Sequence, residues 1–303
     1  MEFEWDARWA GPPGERLFAL EGRRPDADAS SDGALVLLHD LGVHGHDLRA
    51  LAELAPHARV WLVDRLGAGH SDLPAPRRID HYTPAGLARH TTRVLREWIP
   101  KGPIDICAHG YGALLASWLD GMMPRELAPS EGGAWIRRHW WLAPLDLGAE
   151  GDAKRVARRY DFPWRGGIPR RAEYGAWLRA PMLAPDTVAD ARGGDDRAVA
   201  VALSVLARGG ARVAHEATRD ALEREGAFEG YRAMCRRRPP PGALTVLWGD
   251  RSARSPGPRL ADELGARLER LEGLGEAPQR EWPERVAEAM GWGLAQSFAD
   301  AAQ

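Results

Sequence analysis

Residues 104–116, IDICAHGYGALLA, combine a short apolar run, a tight turn and the start of a helical pattern. A turn between a strand and a helix can expose one side chain at the strand end, where that side chain can act as a nucleophile. The residue at this tip is Gly110, which has no side chain. The segment therefore predicts the strand–turn–helix that positions a nucleophile, but with no side chain at the nucleophile position. Any chemistry here must use backbone N–H groups and neighbouring side chains.

The candidate bases near the predicted strand ends are His39, Asp40, His109 and Glu276. Each of them also has a structural interpretation. A histidine at a strand end can hold a loop through its hydrogen bonds, and an aspartate in a turn can bond its own backbone. Glu276 lies in a predicted loop, where a glutamate is usually solvated.

The elements that must position these residues are apolar runs that alternate with helical patterns. Runs of this length without polar alternation are typical of parallel strands buried on both faces. In one helical pattern Thr83 can cap and Pro84 occupies the first helical position. The order predicts an α/β fold with a doubly wound, mostly parallel sheet, whose ligands lie at the carboxyl ends of the strands. The predicted strands are residues 34–40, 60–65, 104–109, 140–144 and 243–250.

The middle of the chain, residues 145–241, breaks this alternation with helical segments rich in Arg and Ala. We predict that it forms a helical lid inserted into a core made of residues 1–144 and 242–303. Tryptophan brings a large apolar area with one hydrogen-bond donor and is typical of cavities that hold sizeable ligands. Trp164 and Trp177 of the lid are therefore predicted to line the cavity.

Composition excludes several classes of partner. A formal net charge of −2 leaves no basic excess for nucleic acid. No stretch approaches ~18 consecutive apolar residues, and the amino terminus lacks a secretory pattern, so we expect a cytoplasmic protein without a membrane partner. The two cysteines, Cys107 and Cys235, are too few for a disulfide framework. The pair His44 and His46 lacks further ligands at metal spacing, so we expect no metal and no cofactor.

Several landmarks, in this order, resemble the α/β-hydrolase superfamily. LLHDLGVHGHDLRALAEL is similar to the loop that contributes one oxyanion donor, with Asp40 where the family has glycine. VDRLGAGHSDLP resembles the turn after the next strand, and CAHGYGALLA resembles the nucleophile elbow. LTVLWGDRSA and RLEGLGEAPQREWPERVAEAM resemble the segments that carry the acid and the histidine of the triad.

The triad of that family is missing from this chain. Gly110 stands in place of serine, and Ser252 stands in place of the acid, with Asp250 two residues earlier. Glu276 stands in place of the histidine, and no histidine follows His215. The resemblance therefore implies the fold of a hydrolase without its covalent chemistry.

The resemblance leaves two backbone N–H groups, those of Leu41 and Tyr111, which form the oxyanion hole in the family. Such donors stabilise negative charge on a substrate oxygen. Glycine at the elbow avoids a backbone strain of ~1–2 kcal/mol that a side chain would add. Two N–H donors without a nucleophile suit proton abstraction next to a carbonyl, because that reaction builds the negative charge of an enolate on the carbonyl oxygen.

The losses and a lidded cavity in a tryptophan-rich chain together resemble the atypical hydrolase-fold epimerases of bottromycin biosynthesis. This resemblance implies an isomerase that inverts the α-carbon of a peptidyl aspartate in a ribosomally made, modified peptide. Glu276 or the substrate carboxylate is the base, and Asp40, His109 and Gly110 border the substrate. Two other interpretations stay open: a non-catalytic pseudo-hydrolase that binds a natural-product intermediate, and a hydrolase with a nucleophile that the sequence does not reveal.

Overall fold

The computed structural model describes most of the core and part of the predicted lid. The described ranges are residues 2–25, 33–75, 79–100, 103–122, 135–146, 153–161, 206–240, 242–252 and 255–292, with residue 203. Trp164 and Trp177 lie outside these ranges, so their predicted place in the cavity stays a prediction.

The described residues form one eight-stranded sheet in the order β1-β2-β4-β3-β5-β6-β7-β8. The pairs β1–β2 and β2–β4 are antiparallel, and the remaining pairs are parallel. The predicted doubly wound, mostly parallel sheet is thereby confirmed. The strands are β1 (Glu4–Ala10), β2 (Leu17–Arg23), β3 (Ala34–Leu38), β4 (Arg59–Asp64), β5 (Ile104–His109), β6 (Ile136–Leu142), β7 (Leu244–Gly249) and β8 (Arg267–Leu271).

Four of the five predicted strands match the structure to within two residues at either end, and β6 begins four residues earlier than predicted. The sequence did not reveal β1, β2 and β8. Strand β1 is mostly exposed at one edge of the sheet, and β8, RLERL, is mostly charged at the other edge. Strands at an edge do not need apolar residues on both faces, which is the signal that identified the central strands.

Helices pack on both faces of the sheet. The amino terminus of α2 is capped as predicted, because the Gly86 N–H donates to Thr83 Oγ1 at 3.0 Å, with Pro84 in the first turn. The α-helices are α1 (Arg49–Glu53), α2 (Pro84–Trp98), α3 (Tyr111–Met122), α4 (Ala153–Arg158), α5 (Ala211–Ala221), α6 (Glu229–Arg237), α7 (Gly257–Leu264), α8 (Pro278–Glu281) and α9 (Pro283–Ala289).

Helices α4, α5 and α6 fall within the range 145–241 that the sequence assigns to the lid. No strand occurs among the residues that the structure describes in that range. The predicted domain boundaries stay a prediction. Of the described helices, none combines the length and the apolarity that crossing a membrane requires.

Two apolar clusters cover the opposite faces of the sheet. Alternate residues of β3 belong to different clusters, Val36 to the one that contains α2 and α3, and Leu37 to the one that contains α1 and α9. Burying each such side chain contributes roughly 1.5–3 kcal/mol to folding. The central strands are therefore held from both sides, and their carboxyl ends form a rigid platform for the loops that follow them.

Candidate active site

The elbow lies where β5 ends and α3 begins. Gly110 has a φ of +53°, a left-handed conformation. A residue with a Cβ would add ~1–2 kcal/mol of strain there, whereas glycine adopts this conformation freely. The Gly110 N–H donates to the carbonyl of Leu142 on β6 at 3.1 Å, so the turn is also tied to the neighbouring strand. The turn therefore has the strand–turn–helix geometry with no side chain at its tip.

The carboxylate of Asp40 fills the space in front of the elbow. Asp40 Oδ1 accepts the backbone N–H of Tyr111 at 2.6 Å, the backbone N–H of Leu41 at 2.8 Å and the hydroxyl of Tyr160 at 2.5 Å. A Cβ built on Gly110 would lie 2.3–2.6 Å from the three carboxylate atoms of Asp40. A side chain at position 110 would therefore require the Asp40 carboxylate to move from its present position.

The expectation that Leu41 and Tyr111 present donors to a substrate needs correction. Both N–H groups converge as the sequence predicts, but they converge on a side chain of the protein itself. The physical reason is that a buried N–H group without a hydrogen-bond acceptor destabilises the fold. The Asp40 carboxylate supplies that acceptor for both N–H groups. Asp40 does more than cap its own loop, because it also binds Tyr111 across the sheet.

A buried ion pair lies beside the second oxygen of Asp40. Arg159 Nη2 is 3.0 Å from Glu276 Oε2 and 3.9 Å from Asp40 Oδ2. The side chains of Asp40, Glu276 and Arg159 are 0%, 4% and 9% exposed. Burial alone would lower the pKa of Arg159, but Tyr160, Glu276 and Asp40 raise it, so the guanidinium is charged. Glu276 was expected to be solvated on its loop, and the structure corrects this, because the side chain is buried and paired with Arg159. Its predicted role as a base stays a prediction.

Tyr160 provides the third hydrogen bond to Asp40. Burial and the neighbouring Asp40 carboxylate raise the pKa of Tyr160 well above its usual value, so its hydroxyl keeps its proton. His215 Nε2 lies 3.0 Å from the Tyr160 carbonyl, which can only accept, so this nitrogen carries the proton. His215, on α5, therefore holds the segment that delivers Arg159 and Tyr160 to the site.

Both ring nitrogens of His109, which was predicted to lie at the substrate, contact groups of the protein. Its Nε2 lies 2.8 Å from the Glu276 carbonyl, and its Nδ1 lies 3.1 Å from the Gln279 side-chain nitrogen. The carbonyl can only accept, so Nε2 donates and Nδ1 accepts from Gln279. Burial lowers the pKa of His109. The ring therefore ties the elbow strand to the loop that carries Glu276.

His39 has the structural role that the sequence favoured. Its Nδ1 lies 2.6 Å from the Asp40 carbonyl, and its Nε2 accepts the Arg65 N–H at 3.2 Å. Only a neutral ring protonated on Nδ1 satisfies both contacts. Burial lowers the pKa of His39 to about 4.

This pKa predicts a loss of stability in mild acid. A histidine that ionises at about 6.5 in the unfolded chain stabilises the fold above that pH, and its contribution is lost as the pH falls from there towards 4. We expect His39 to account for about 2 kcal/mol of the decrease in unfolding free energy between about pH 7.5 and about pH 5. Urea unfolding of His39→Gln should show a smaller decrease than that of the wild type. An unchanged decrease in His39→Gln would show that His39 does not titrate in this range.

The other candidates of the sequence analysis take no part in this constellation. Cys107 is fully buried, and burial raises the pKa of its thiol. The Asp250 carboxylate accepts the Gly273 N–H at 2.8 Å and pairs with Arg270. Ser252 Oγ accepts the Ser255 N–H at 3.1 Å. Asp250 and Ser252 therefore stabilise turns, and Cys107 is a buried residue of β5.

The pair of histidines at 44 and 46 is not part of a metal-ligand cluster in the described part of the chain. There, the group of three potential ligands within reach of one ion is Glu15, His81 and His90. Arg93 Nη2 lies 2.9 Å from His90 Nδ1 and 3.6 Å from Glu15, so a cation already shares that group. The charge of Arg93 disfavours a metal ion there.

Sequence reasoning missed Arg159 and Tyr160, although it assigned their surroundings to a helix. The signal that could have pointed to them is the segment RRYD at the end of a lid helix, which combines two cations with a hydroxyl. It also missed Arg65, which lies inside the quoted turn VDRLGAGHSDLP. Neither pattern reveals its partners, because these come from distant parts of the chain.

The sheet order, the elbow after β5 and the loop after β3 define the α/β-hydrolase fold. Three solved structures are similar in fold. They are Cfl2 from Burkholderia cenocepacia (TM-score 0.73, 19% identity, 97% of this chain and 99% of that chain), the epoxide hydrolase CorEH (0.69, 16%, 99% and 100%) and the serine hydrolase CarC involved in carbazole degradation (0.69, 17%, 98% and 100%). No protein-family model and no curated protein matches the sequence. At these identities the likeness establishes the fold and leaves the reaction open.

Proposed function

We propose that this chain is a non-hydrolytic enzyme of the α/β-hydrolase fold, an isomerase that moves a proton at a carbon next to a carbonyl. The observation that carries the proposal is the Asp40 carboxylate in the place of the nucleophile. Its Oδ1 is held by three donors, and no described histidine is bonded to the carboxylate. Such a group suits proton transfer better than the acyl transfer of a serine, histidine and acid triad.

Asp40 is the base in this proposal, in place of Glu276. Asp40 Oδ2 accepts no hydrogen bond within the described part of the chain and lies 3.9 Å from Arg159 Nη2, whereas Glu276 Oε2 lies closer to that cation, at 3.0 Å. Oδ2 takes the proton from the α-carbon, and the electron pair of the broken C–H bond moves into the carbonyl group to give an enolate. As Oδ2 takes the proton, the positive charge of Arg159 stabilises the negative charge that develops on the enolate oxygen of the substrate.

The substrate class in this proposal is a peptidyl aspartate of a bottromycin-type peptide, a ribosomally made chain that is modified in the cytoplasm. The support is the resemblance of the missing triad and of the helical lid in a tryptophan-rich chain to the epimerases of that pathway. An aspartate substrate carries its own carboxyl group near the α-carbon. That group takes a proton from solvent and delivers it to the opposite face of the enolate, and Asp40 passes its own proton to solvent, so the product differs from the substrate only in configuration.

Hydrogen exchange at the α-carbon tests this function directly. The experiment incubates bottromycin-type peptides that contain aspartate with the protein in D₂O, and follows them by mass spectrometry and chiral amino-acid analysis. We expect one deuterium at the aspartate α-carbon and the appearance of the opposite epimer. A boiled sample and a peptide with asparagine in place of aspartate are the controls. Absence of deuterium from every aspartate peptide that binds would refute the proposed reaction.

The second candidate function is a non-catalytic pseudo-hydrolase that binds a natural-product intermediate. The observation that favours it is that both elbow N–H groups are already taken by Asp40, which can act as an internal plug. It predicts tight binding of the modified peptide without deuterium exchange. Leu41→Pro, which removes one of the two donors, should then leave peptide affinity unchanged.

A further inference from the structure

Arg65 is a buried cation that forms no ion pair with a carboxylate in the part of the chain that the structure describes. It follows β4 and is 3% exposed, and its Nε and Nη1 atoms have no hydrogen-bond partner among the described residues. In that part of the chain no carboxylate forms an ion pair with it within 4.0 Å, and its guanidinium lies 5.7 Å from the centre of the Tyr111 ring. Burial lowers the pKa of Arg65, but a guanidinium stays protonated in proteins. A buried charge without a partner is unfavourable, so the arrangement calls for an anion.

Arg65 is one of the residues that line a cleft between the loops that follow β3 and β4. The cleft has about 360 Å³ of space that protein atoms do not fill, part of it open to solvent. Apolar side chains that include Val43, Leu73 and Leu206 form its walls, and His44 and His215 are its other ionisable residues. Among the described residues that line it, none is acidic.

Arg65 is the permanent charge of this cleft. Burial lowers the pKa of His215 to about 4 and also lowers the pKa of His44, so both rings are neutral near neutral pH. The carboxylate of Asp40, on the other side of the elbow, already accepts three hydrogen bonds at Oδ1. The cleft therefore presents one positive charge between apolar walls.

We propose that the Arg65 cleft binds the carboxylate group of a small molecule or peptide, with Arg65 as the charge partner. A planar guanidinium matches a carboxylate through two parallel N–H donors, and the apolar walls suit the chain attached to it. One cation between apolar walls suits one carboxylate better than a doubly charged phosphate. This site does not depend on the reaction proposed for Asp40.

Calorimetry with three probes tests the site: benzoate, its neutral analogue benzamide, and inorganic phosphate. We expect the wild type to bind benzoate at least about 10-fold more tightly than benzamide, and more tightly than phosphate, because only the carboxylate matches one guanidinium. Arg65→Met should abolish benzoate binding without lowering the unfolding temperature, because it removes an unpaired buried charge. Arg236→Met, an exposed arginine that does not line the cleft, should bind benzoate as the wild type does.

A second variant keeps the test decisive if Arg65→Met fails to fold. Leu73→Trp retains Arg65 and fills the space between the walls, so it should weaken benzoate binding at least about 10-fold. Equal affinity for benzoate and benzamide would overturn the proposal, as would full benzoate affinity in Arg65→Met or Leu73→Trp. Tighter binding of phosphate than of benzoate would show that the carboxylate assignment is wrong.

Discussion

Gly110→Ser should lower the free energy of unfolding by about 3 kcal/mol or more and should restore no hydrolysis. A serine at the elbow would place its Cβ 2.3–2.6 Å from the Asp40 carboxylate atoms, so the carboxylate must leave its three donors. The left-handed backbone of the residue adds a further strain. Urea unfolding measures the loss of stability, and ester hydrolysis measures activity.

The control for this substitution is Gly265→Ser. Gly265 has a similar φ of +64°, but no atom lies within 4 Å of a Cβ built there, so the variant should lose only about 1–2 kcal/mol for backbone strain. Asp40→Gly combined with Gly110→Ser removes the clash. The free energy of unfolding of the double variant should be at least ~1 kcal/mol higher than the sum of the losses in the two single variants predicts. Equal losses for Gly110→Ser and Gly265→Ser would show that Asp40 does not occupy the elbow.

Asp40→Asn should reduce the rate of deuterium exchange at the substrate α-carbon by about 10³-fold or more. Asparagine has the shape of aspartate and keeps an oxygen for the Leu41 and Tyr111 N–H groups, but its amide cannot accept the proton. The fold should therefore persist while the base is lost. Single-turnover exchange kinetics and thermal unfolding of the same sample separate these two effects.

Asp40→Ala provides the contrast, because it leaves two buried N–H groups and the Tyr160 hydroxyl without an acceptor. We expect it to lower stability by about 1–3 kcal/mol for each donor that water does not reach. Tyr160→Phe should retain most of the exchange activity, because it removes one of the three donors and leaves the base. Full exchange activity in Asp40→Asn would show that Asp40 is not the base and only fills the space at the elbow.

The central fold was predictable because its strands are apolar on both faces. Strand β2 escaped notice for a specific reason: Glu21 interrupts its apolar run, yet this side chain is fully buried among Arg8, Arg23 and Arg59. Three guanidinium groups that come together from three strands make that burial tolerable. Such a compensation depends on the sheet order, which local pattern does not contain.

The elbow and its two N–H groups were predictable, but the side chain that fills them was not. Asp40 lies 71 residues from Tyr111 and 120 residues from Tyr160 in sequence, so no local spacing connects them. The sequence alone does not connect its two departures from the family pattern, aspartate at 40 and glycine at 110. In the structure they are complementary, because the space left by the missing side chain at 110 holds the side chain gained at 40.

Glu276 shows the converse limit of sequence reasoning. Its place in a loop predicted a solvated side chain, but Arg159 brings an opposite charge from the helical segment at 153–158 and its following turn. Burial of a glutamate is rare unless it is paired, and the pairing residue lies more than one hundred positions away. The sequence therefore predicts the loop that carries Glu276, but it does not predict that this loop is buried against Arg159.

A crystal structure of the wild-type protein tests the central claim most directly, because the claim concerns the position of one carboxylate. Our account predicts electron density for Asp40 Oδ1 within hydrogen-bond distance of the Leu41 nitrogen, the Tyr111 nitrogen and the Tyr160 hydroxyl. Density for a water or another group bonded to both nitrogens, with the Asp40 side chain turned away from Gly110, would contradict it.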